Sequence, residues 1–369
     1  MSTPYEDYIQ SLSKWLYLED KEGISIIIAA VIAVALPGDP IWMFVVDPPG
    51  ALKTEICRSL NGPLIYSLDS LTPQTLISGF RAKKGTTIDI LPDLDGKLLV
   101  IKDFTTILNK PERTRDELLG QLRSVYDGFF EQAYGSGVKK KGFHARFGIL
   151  AAVTPVIEIY HKIHSLLGER FIRVSPRYNR KKSVESAIRH SGKEVRMRGE
   201  ISEAAREMLD FYELIARETN PSSIPDTDKE KVEYLGDAIS MIRSPVARDY
   251  KREVVYTPEA EVGTRLGKQF LRLGQALIVL DQYKYSALTR CGWDCVSSSK
   301  KKILVALAKE GVLSTKEIVG TTRLSENTVL LEGENMWMLE ILVREKVGGS
   351  YYFCIEPEFE KIMRKAELI

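Results

Sequence analysis

The sequence predicts an α/β fold followed by a helical middle and a small C-terminal domain. Three observations carry that reading. Residues 41–46 (IWMFVV), 97–101 (KLLVI) and 147–153 (FGILAAV) hold short apolar runs with the length and composition of buried strands. Amphipathic helical patterns separate them, as in 116–130. The last seventy or so residues change character, to short helices closed by a Gly-Gly hairpin.

The chain has 369 residues, enough for two or three domains. Its apolar fraction of 44% and charged fraction of 28% are those of an ordinary globular protein. A net charge of +2 neither demands nor excludes nucleic acid, so local clustering decides. Cysteines stand at Cys57, Cys291, Cys295 and Cys354, too sparse and wrongly spaced for a zinc site. Sparse cysteine fits a reducing cytoplasm. The most apolar run, 24–36, has thirteen residues, against about 20 needed to cross a bilayer. It is expected to be a buried helix stopped by Pro37-Gly38, and no membrane partner is expected.

In chain order, 5–18 carries Tyr8, Leu12, Trp15 and Leu16 on one helical face. With the buried helix it makes an N-terminal helical collar, 1–38. Strand one, 41–46, runs into Asp47-Pro48-Pro49-Gly50-Ala51-Leu52-Lys53-Thr54-Glu55. Strand, Pro/Gly turn and Lys-Thr at a helix start is the order of a P-loop. Backbone N–H groups of such a loop (Pro49 to Glu55 here) hold phosphates, Lys53 reaches the β- and γ-phosphates, and the Thr54 hydroxyl holds Mg²⁺. The pattern wants Gly where Asp47 and Leu52 stand; Leu52 brings a Cβ close to the phosphates and Asp47 a negative charge. A strand–turn–helix corner with an incidental Lys-Thr is the competing reading. A helix over 54–60, a strand over 63–67 and a short helix over 72–78 follow.

Leu98 to Ile101, then Asp103, form a Walker B pattern: an acid at the carboxyl end of a strand, able to hold the water shell of Mg²⁺. Phe104 stands where a Glu is usual, which leaves Asp127 and Glu131 as candidates to polarise an attacking water. Residues 134–143 (YGSGVKKKGF) suggest a basic hairpin, either a solvated turn or a phosphate-contacting finger through Lys139, Lys140 and Lys141. Thr154, at the tip of the next strand, can contact a γ-phosphate. Arg170, Arg173 and Arg177 follow; an arginine here stabilises phosphate charge in trans or merely caps a helix.

Lys53-Thr54-Glu55, LLVIKDFTTIL (98–108), Leu122-Arg123 with Tyr126-Asp127-Gly128, Ala152-Val153-Thr154-Pro155 and Gly168-Glu169-Arg170-Phe171 occur in that order. In this the chain resembles the AAA+ ATPases that phages and integrative mobile elements encode as DNA-replication proteins. These are relatives of the minichromosome-maintenance and superfamily-III helicases. The resemblance spans roughly 24–180 and lies in the order of motifs more than in any one. It implies a hexameric, ATP- and Mg²⁺-dependent motor with sites between subunits. Arg170 then matches the arginine-finger position. Lys139, Lys140 and Lys141 match a hairpin that enters the central pore and meets DNA. Asp47 and Leu52 depart from the family's loop, which bears on turnover more than on binding.

The expected organisation is a collar (1–38), an AAA+ core (39–180), a helical lid (181–295) and a winged helix (296–369). In the lid, Arg265 and Arg248 are either sensor-2 residues or surface arginines. In the tail, helices over 300–310, 314–319 and 325–343 precede a hairpin at 345–353. Glu326, Glu332, Glu334 and Glu340 on the third helix would repel phosphates, so protein docking or packing competes with DNA binding; Lys300-Lys301-Lys302 keeps DNA open. The leading expectation is a DNA-translocating or remodelling ATPase of mobile-element replication, with replication proteins as further partners. The alternatives are a non-hydrolysing AAA+ adaptor and a nucleotide-switched DNA-binding regulator.

Overall fold

The computed structural model describes the chain except residues 1, 51, 77–88, 133–140, 159–169, 219–222, 250, 252 and 257–258, and the side chains of 132 and 141. It is a mixed α/β protein in two compact units: residues 1–223 with 272–287, and 224–271 with 288–369. The segment 181–295 contributes to both.

The first unit is built on a five-stranded parallel sheet. Its strands are β1 (Trp42–Val46), β2 (Ile65–Leu68), β3 (Leu98–Ile101), β6 (Gly148–Val153) and β7 (Phe171–Val174), in the order β2-β3-β6-β1-β7. β1, β3, β6 and β7 are buried at every position, so β1, β3 and β6 read as unbroken apolar runs rather than alternating ones, and β7 does so apart from Arg173. On one face, Trp42 and Phe44 of β1 pack with Phe104, Phe147 and Phe171. Phe44 and Phe171 stack at 4.0 Å, and the Trp42 indole N–H donates to the Phe147 carbonyl at 2.9 Å. That face is covered by α5 (Thr105–Leu108) and α6 (Glu112–Val125), whose Leu118, Leu119 and Leu122 are fully buried.

Helix α2 (Lys21–Ile32) packs on β1, β6 and β7, and α3 (Lys53–Ser59) packs on β6. α2 is apolar all round and buried from Gly23 onward, as a helix enclosed by the protein must be. The turn and loop after it are held by Arg146, whose guanidinium donates to the carbonyls of Val34, Leu36 and Gly38. Helix α1 (Pro4–Trp15) has a full capping box, Thr3 with Glu6. A short α4 (Pro73–Leu76) follows β2. Strands β4 (Phe129–Gln132) and β5 (Lys141–His144) form an antiparallel pair, with Phe129 opposite His144. α7 (Arg180–Arg189) and the long α8 (Glu194–Glu218) complete the unit.

Two sequence expectations shift here. Phe129 and Phe130, read as the end of a helix, belong to β4, because Gly128 at φ +82° ends the helical run. Residues 171–174, read only as an arginine-bearing stretch, are the edge strand β7, with Arg173 opposite Phe44.

The second unit draws on α9 (Asp226–Arg243), α10 (Thr264–Val279) and α11 (Tyr285–Asp294), the last two shared with the first unit. Then come α12 (Ser298–Glu310), β8 (Leu313–Ser314), α13 (Thr315–Thr322), α14 (Glu326–Met338), β9 (Leu342–Val347), β10 (Ser350–Ile355) and α15 (Pro357–Lys365). β9 and β10 form a hairpin with β8 beside β10. Helix α14 stops at Met338 rather than 343, because Glu340 turns the chain at φ +59° and β9 begins at Leu342. Among the described residues, no helix is long and apolar enough to cross a membrane.

Candidate functional site

The site follows from the path of the chain through the sheet. From β1 the chain crosses to the far edge at β2, returns through β3 and β6, then passes over β1 to reach β7. The direction of travel therefore reverses between β1 and β6. Right-handed crossovers send the connections leaving those two strands to opposite faces, which opens a crevice between their carboxyl ends. Val46 lies opposite Val153, and Ile101 opposite Ala151. The ladder continues one step further: the Asp47 N–H donates to Val153 O at 3.1 Å, and the Phe104 N–H to Ala152 O at 2.7 Å. Asp47, Asp103 and Thr154 thus stand at the ends of three neighbouring strands.

After Asp47 the loop rises to the surface, with Pro49 and Gly50 exposed. Gly50 takes φ +80°, with open space where a Cβ would be, a conformation that suits glycine. Leu52 sits at φ −62°, ψ −22°, open to any residue, so no glycine is needed there for the backbone's sake. Ala51 lies outside the described residues. Thr54 is half-buried and Glu55 is held by Arg198 of α8 at 2.8 and 3.0 Å. Helix α3 has only seven residues, so Lys53 and the loop N–H groups offer more to an anion than its dipole does.

Lys53 is buried, 6% exposed, and its Nζ donates to Pro48 O at 2.9 Å. Burial pulls its pKa down, while Asp47, Asp103 and Cys57 pull it back up. Asp47 is 2% exposed. Burial pushes its carboxyl up to about 7 against the opposing pull of Lys53, and its Oδ2 has no hydrogen-bond partner among the described residues. Burial also pushes the Cys57 thiol up to about 12, so it stays a thiol.

Asp103 is exposed at the crevice mouth, its Oδ1 accepting from the Thr105 N–H at 3.0 Å. Thr105 Oγ1 lies 3.4 Å from Thr154 Oγ1 and accepts from the Thr154 N–H at 3.3 Å. The Asp103 and Thr154 segments are therefore coupled through one hydroxyl, a link the sequence did not single out. Phe104 is fully buried against Phe44, 4.9 Å between ring centroids. The position where a Glu was sought is a core position.

A cavity of about 210 Å³ opens against the loop, between Leu52 and Gly50 on one side and Trp15, Tyr17, Ser186 and His190 on the other. It is below the roughly 300–1,000 Å³ of pockets that take whole drug-sized ligands. His190 Nδ1 lies 2.8 Å from the Trp15 carbonyl, which fixes the ring. Sequence reasoning missed this wall: Trp15 and His190 lie 175 positions apart, and Trp15 reads as an ordinary core residue of α1.

The remaining expected residues fall elsewhere. Arg170 is 4% exposed, 3.7 Å from Asp127 and over the Tyr126 ring at 5.4 Å. A finger acting on a neighbouring subunit must project from the surface, and Arg170 is instead folded into its own unit. Lys139 and Lys140 lie outside the described residues, as does the Lys141 side chain, although the β4–β5 pair that frames them is present. Arg248 binds Glu334 and Asn335 at 2.8 Å, a structural role within the second unit; Arg265 is exposed. Lys300, expected in a DNA-facing run, is 8% exposed and donates to Ile242 O at 2.7 Å. It caps α9. No group of three or more His, Cys, Asp or Glu among the described residues is arranged to hold a metal ion. No protein-family model and no curated protein matches the chain.

Proposed function

We propose that the first unit binds a nucleoside triphosphate with Mg²⁺ in the crevice between β1 and β6, on an AAA+ type core, and that the chain is an ATPase that translocates on or remodels DNA. One observation carries the reading: Lys53 after β1, Thr154 after β6 and Asp103 after the neighbouring β3 gather at one end of the sheet, with Asp103 acting on the Lys53 charge. Lys53 would hold the β- and γ-phosphates, exchanging its bond to Pro48 O for a charged one. Thr54 and Asp103 would hold Mg²⁺, which binds through one or two carboxylates plus phosphate oxygens and needs no all-protein cage. Thr154, steadied by Thr105, would meet the γ-phosphate. The cavity beside Leu52 would take the base. Bound Mg²⁺ supplies neutralisation of phosphate charge.

The β4–β5 hairpin, with Lys139, Lys140 and Lys141, is the proposed DNA contact. The helix–strand–helix–helix–hairpin order of 298–355 supports a winged helix. Assembly into a ring is proposed from the family resemblance, with its trans-acting arginine unassigned because Arg170 is buried.

A second reading, a non-hydrolysing binder, is favoured by Phe104, which puts an aromatic ring where a carboxylate base is usual. Titration with ATP and Mg²⁺, wild type beside Lys53→Ala, tests the first claim: wild type should bind at micromolar to millimolar levels and the variant should not. Phosphate release then separates the two readings, since a static binder releases none. No ATP uptake by wild type at millimolar concentration sinks both.

A further inference from the structure

Asp47 is the buried acid at the head of the phosphate loop, and the function above makes no use of it. Its carboxyl is enclosed at the crevice floor, with Oδ2 lacking a hydrogen-bond partner among the described residues. A buried acceptor without a donor is costly, and more so when it is charged. The charged and titratable groups around it are few. Lys53 faces it from α3, and Lys53 is itself within reach of Asp103 and of the neutral Cys57 thiol. Lys102 acts on Cys57 from the end of β3. The end of β6 brings Thr154, which carries no charge. On β7, Arg173 lies opposite Phe44, three positions before Asp47. From Gly23 to Ile32, α2 brings only apolar and small residues.

In the chain as it stands Lys53 is thus the cation that favours the ionised form of Asp47 against its burial. A triphosphate changes both sides of that balance. It draws the Lys53 ammonium toward itself and sets further negative charge beside the carboxylate. Both effects favour the neutral acid.

We propose that Asp47 makes phosphate binding in this loop proton-coupled: each nucleoside triphosphate that enters is accompanied by one proton from solvent, taken onto the Asp47 carboxylate. An O–H bond forms at Oδ2 and no other covalent bond changes. The new hydroxyl becomes a donor, so the orphaned oxygen gains a partner in the bound state, either a phosphate oxygen or a loop carbonyl. A negative side chain in an anion site is then no obstacle to binding. It makes affinity depend on pH. This inference rests on the phosphate-loop reading given above.

Since the free carboxyl sits at about 7, at about pH 7.5 it is mostly ionised, and complete protonation in the complex takes up roughly 0.7 proton per nucleotide. The test is calorimetric titration of the full chain with Mg²⁺ and a non-hydrolysable ATP analogue. It is run at about pH 7.5 in two buffers of different ionisation enthalpy, PIPES and Tris, which gives the proton count directly. Wild type should take up most of one proton and lose about tenfold in affinity per pH unit above neutrality. Asp47→Asn should lose that uptake and bind with a flat pH profile. Wild-type binding without proton uptake overturns the proposal and leaves the phosphate loop standing. Equal uptake by Asp47→Asn overturns it as well. Failure of wild type to bind at all removes the phosphate loop and this inference together. Should the Asn variant not fold, the wild-type proton count and pH slope decide alone.

Discussion

Replacing Asp47 by Asn should change the stability of the ligand-free protein in a way that depends on pH. The carboxyl is raised from 3.8 to about 7 in the folded chain. Between those values the folded protein holds a proton that the unfolded chain has released. Stability contributed by this group is therefore present at low pH and is lost as pH rises toward the folded value. From about pH 5 to about pH 8 the two titration curves diverge by roughly 2–3 kcal/mol. Asn cannot ionise, so Asp47→Asn should gain about that much on wild type across the same interval. Any cost of bonding the amide in the same pocket is the same at both pH values and cancels. The chain has two units, so global unfolding is a poor probe. Hydrogen exchange in peptides covering β1 and β6, measured in urea at both pH values, reads the first unit alone. A stability difference between variant and wild type that does not move with pH refutes the reasoning, because it means Asp47 is solvated or ion-paired firmly enough to stay charged.

Three further outcomes are expected. Lys300→Met should destabilise the second unit by about 1–2 kcal/mol, the loss of a charged bond to Ile242 O partly offset by no longer burying an ammonium; denaturation should show it and duplex binding should not change. The buried ammonium's cost is present below its lowered folded pKa and fades as pH rises toward the ordinary lysine value, a dependence the Met variant lacks. Gly333→Ala should cost roughly 1–3 kcal/mol by overpacking, because its Cβ would come within 2.7 Å of the Phe353 ring; thermal melting of the 224–369 signals checks it. Glutamate at Lys139, Lys140 and Lys141 together should abolish DNA-stimulated phosphate release while basal release persists. Stimulation that survives removes the hairpin from the DNA path.

The strands that carry the site were legible because burial on both faces leaves nothing but apolar residues, and β1, β3 and β6 are such runs. β7 escaped notice because Arg173 interrupts its pattern and arginine draws a functional interpretation. The same bias made Arg170 look like a surface finger and Lys300 a DNA contact. Each spends its charge inside its own unit, on an aspartate and an aromatic ring in one case and on helix-terminal carbonyls in the other. Composition cannot tell a buried cation from an exposed one, since the deciding partners lie far away in sequence. The loop itself was half legible. Its glycine-poor sequence suggested crowding at Leu52, whereas the backbone there is helical and the difficult residue is the enclosed Asp47.

The first turns of helix α8 are tied both to the N-terminal helix and to the helix that follows the phosphate loop. Glu200 accepts from the Trp15 indole at 2.8 Å, Arg198 grips Glu55, and Asn61 donates to the Ser202 carbonyl at 2.8 Å. Tyr8 adds a direct bond to Ser59 at 3.0 Å. The opening residues, expected from the sequence as an N-terminal helical collar, are thus fastened to the very helix that begins at Lys53. A protein trimmed to begin at strand β1 would lose one wall of the cavity and the strut behind the loop. Its failure to take up nucleotide would report the missing brace rather than the chemistry of the loop.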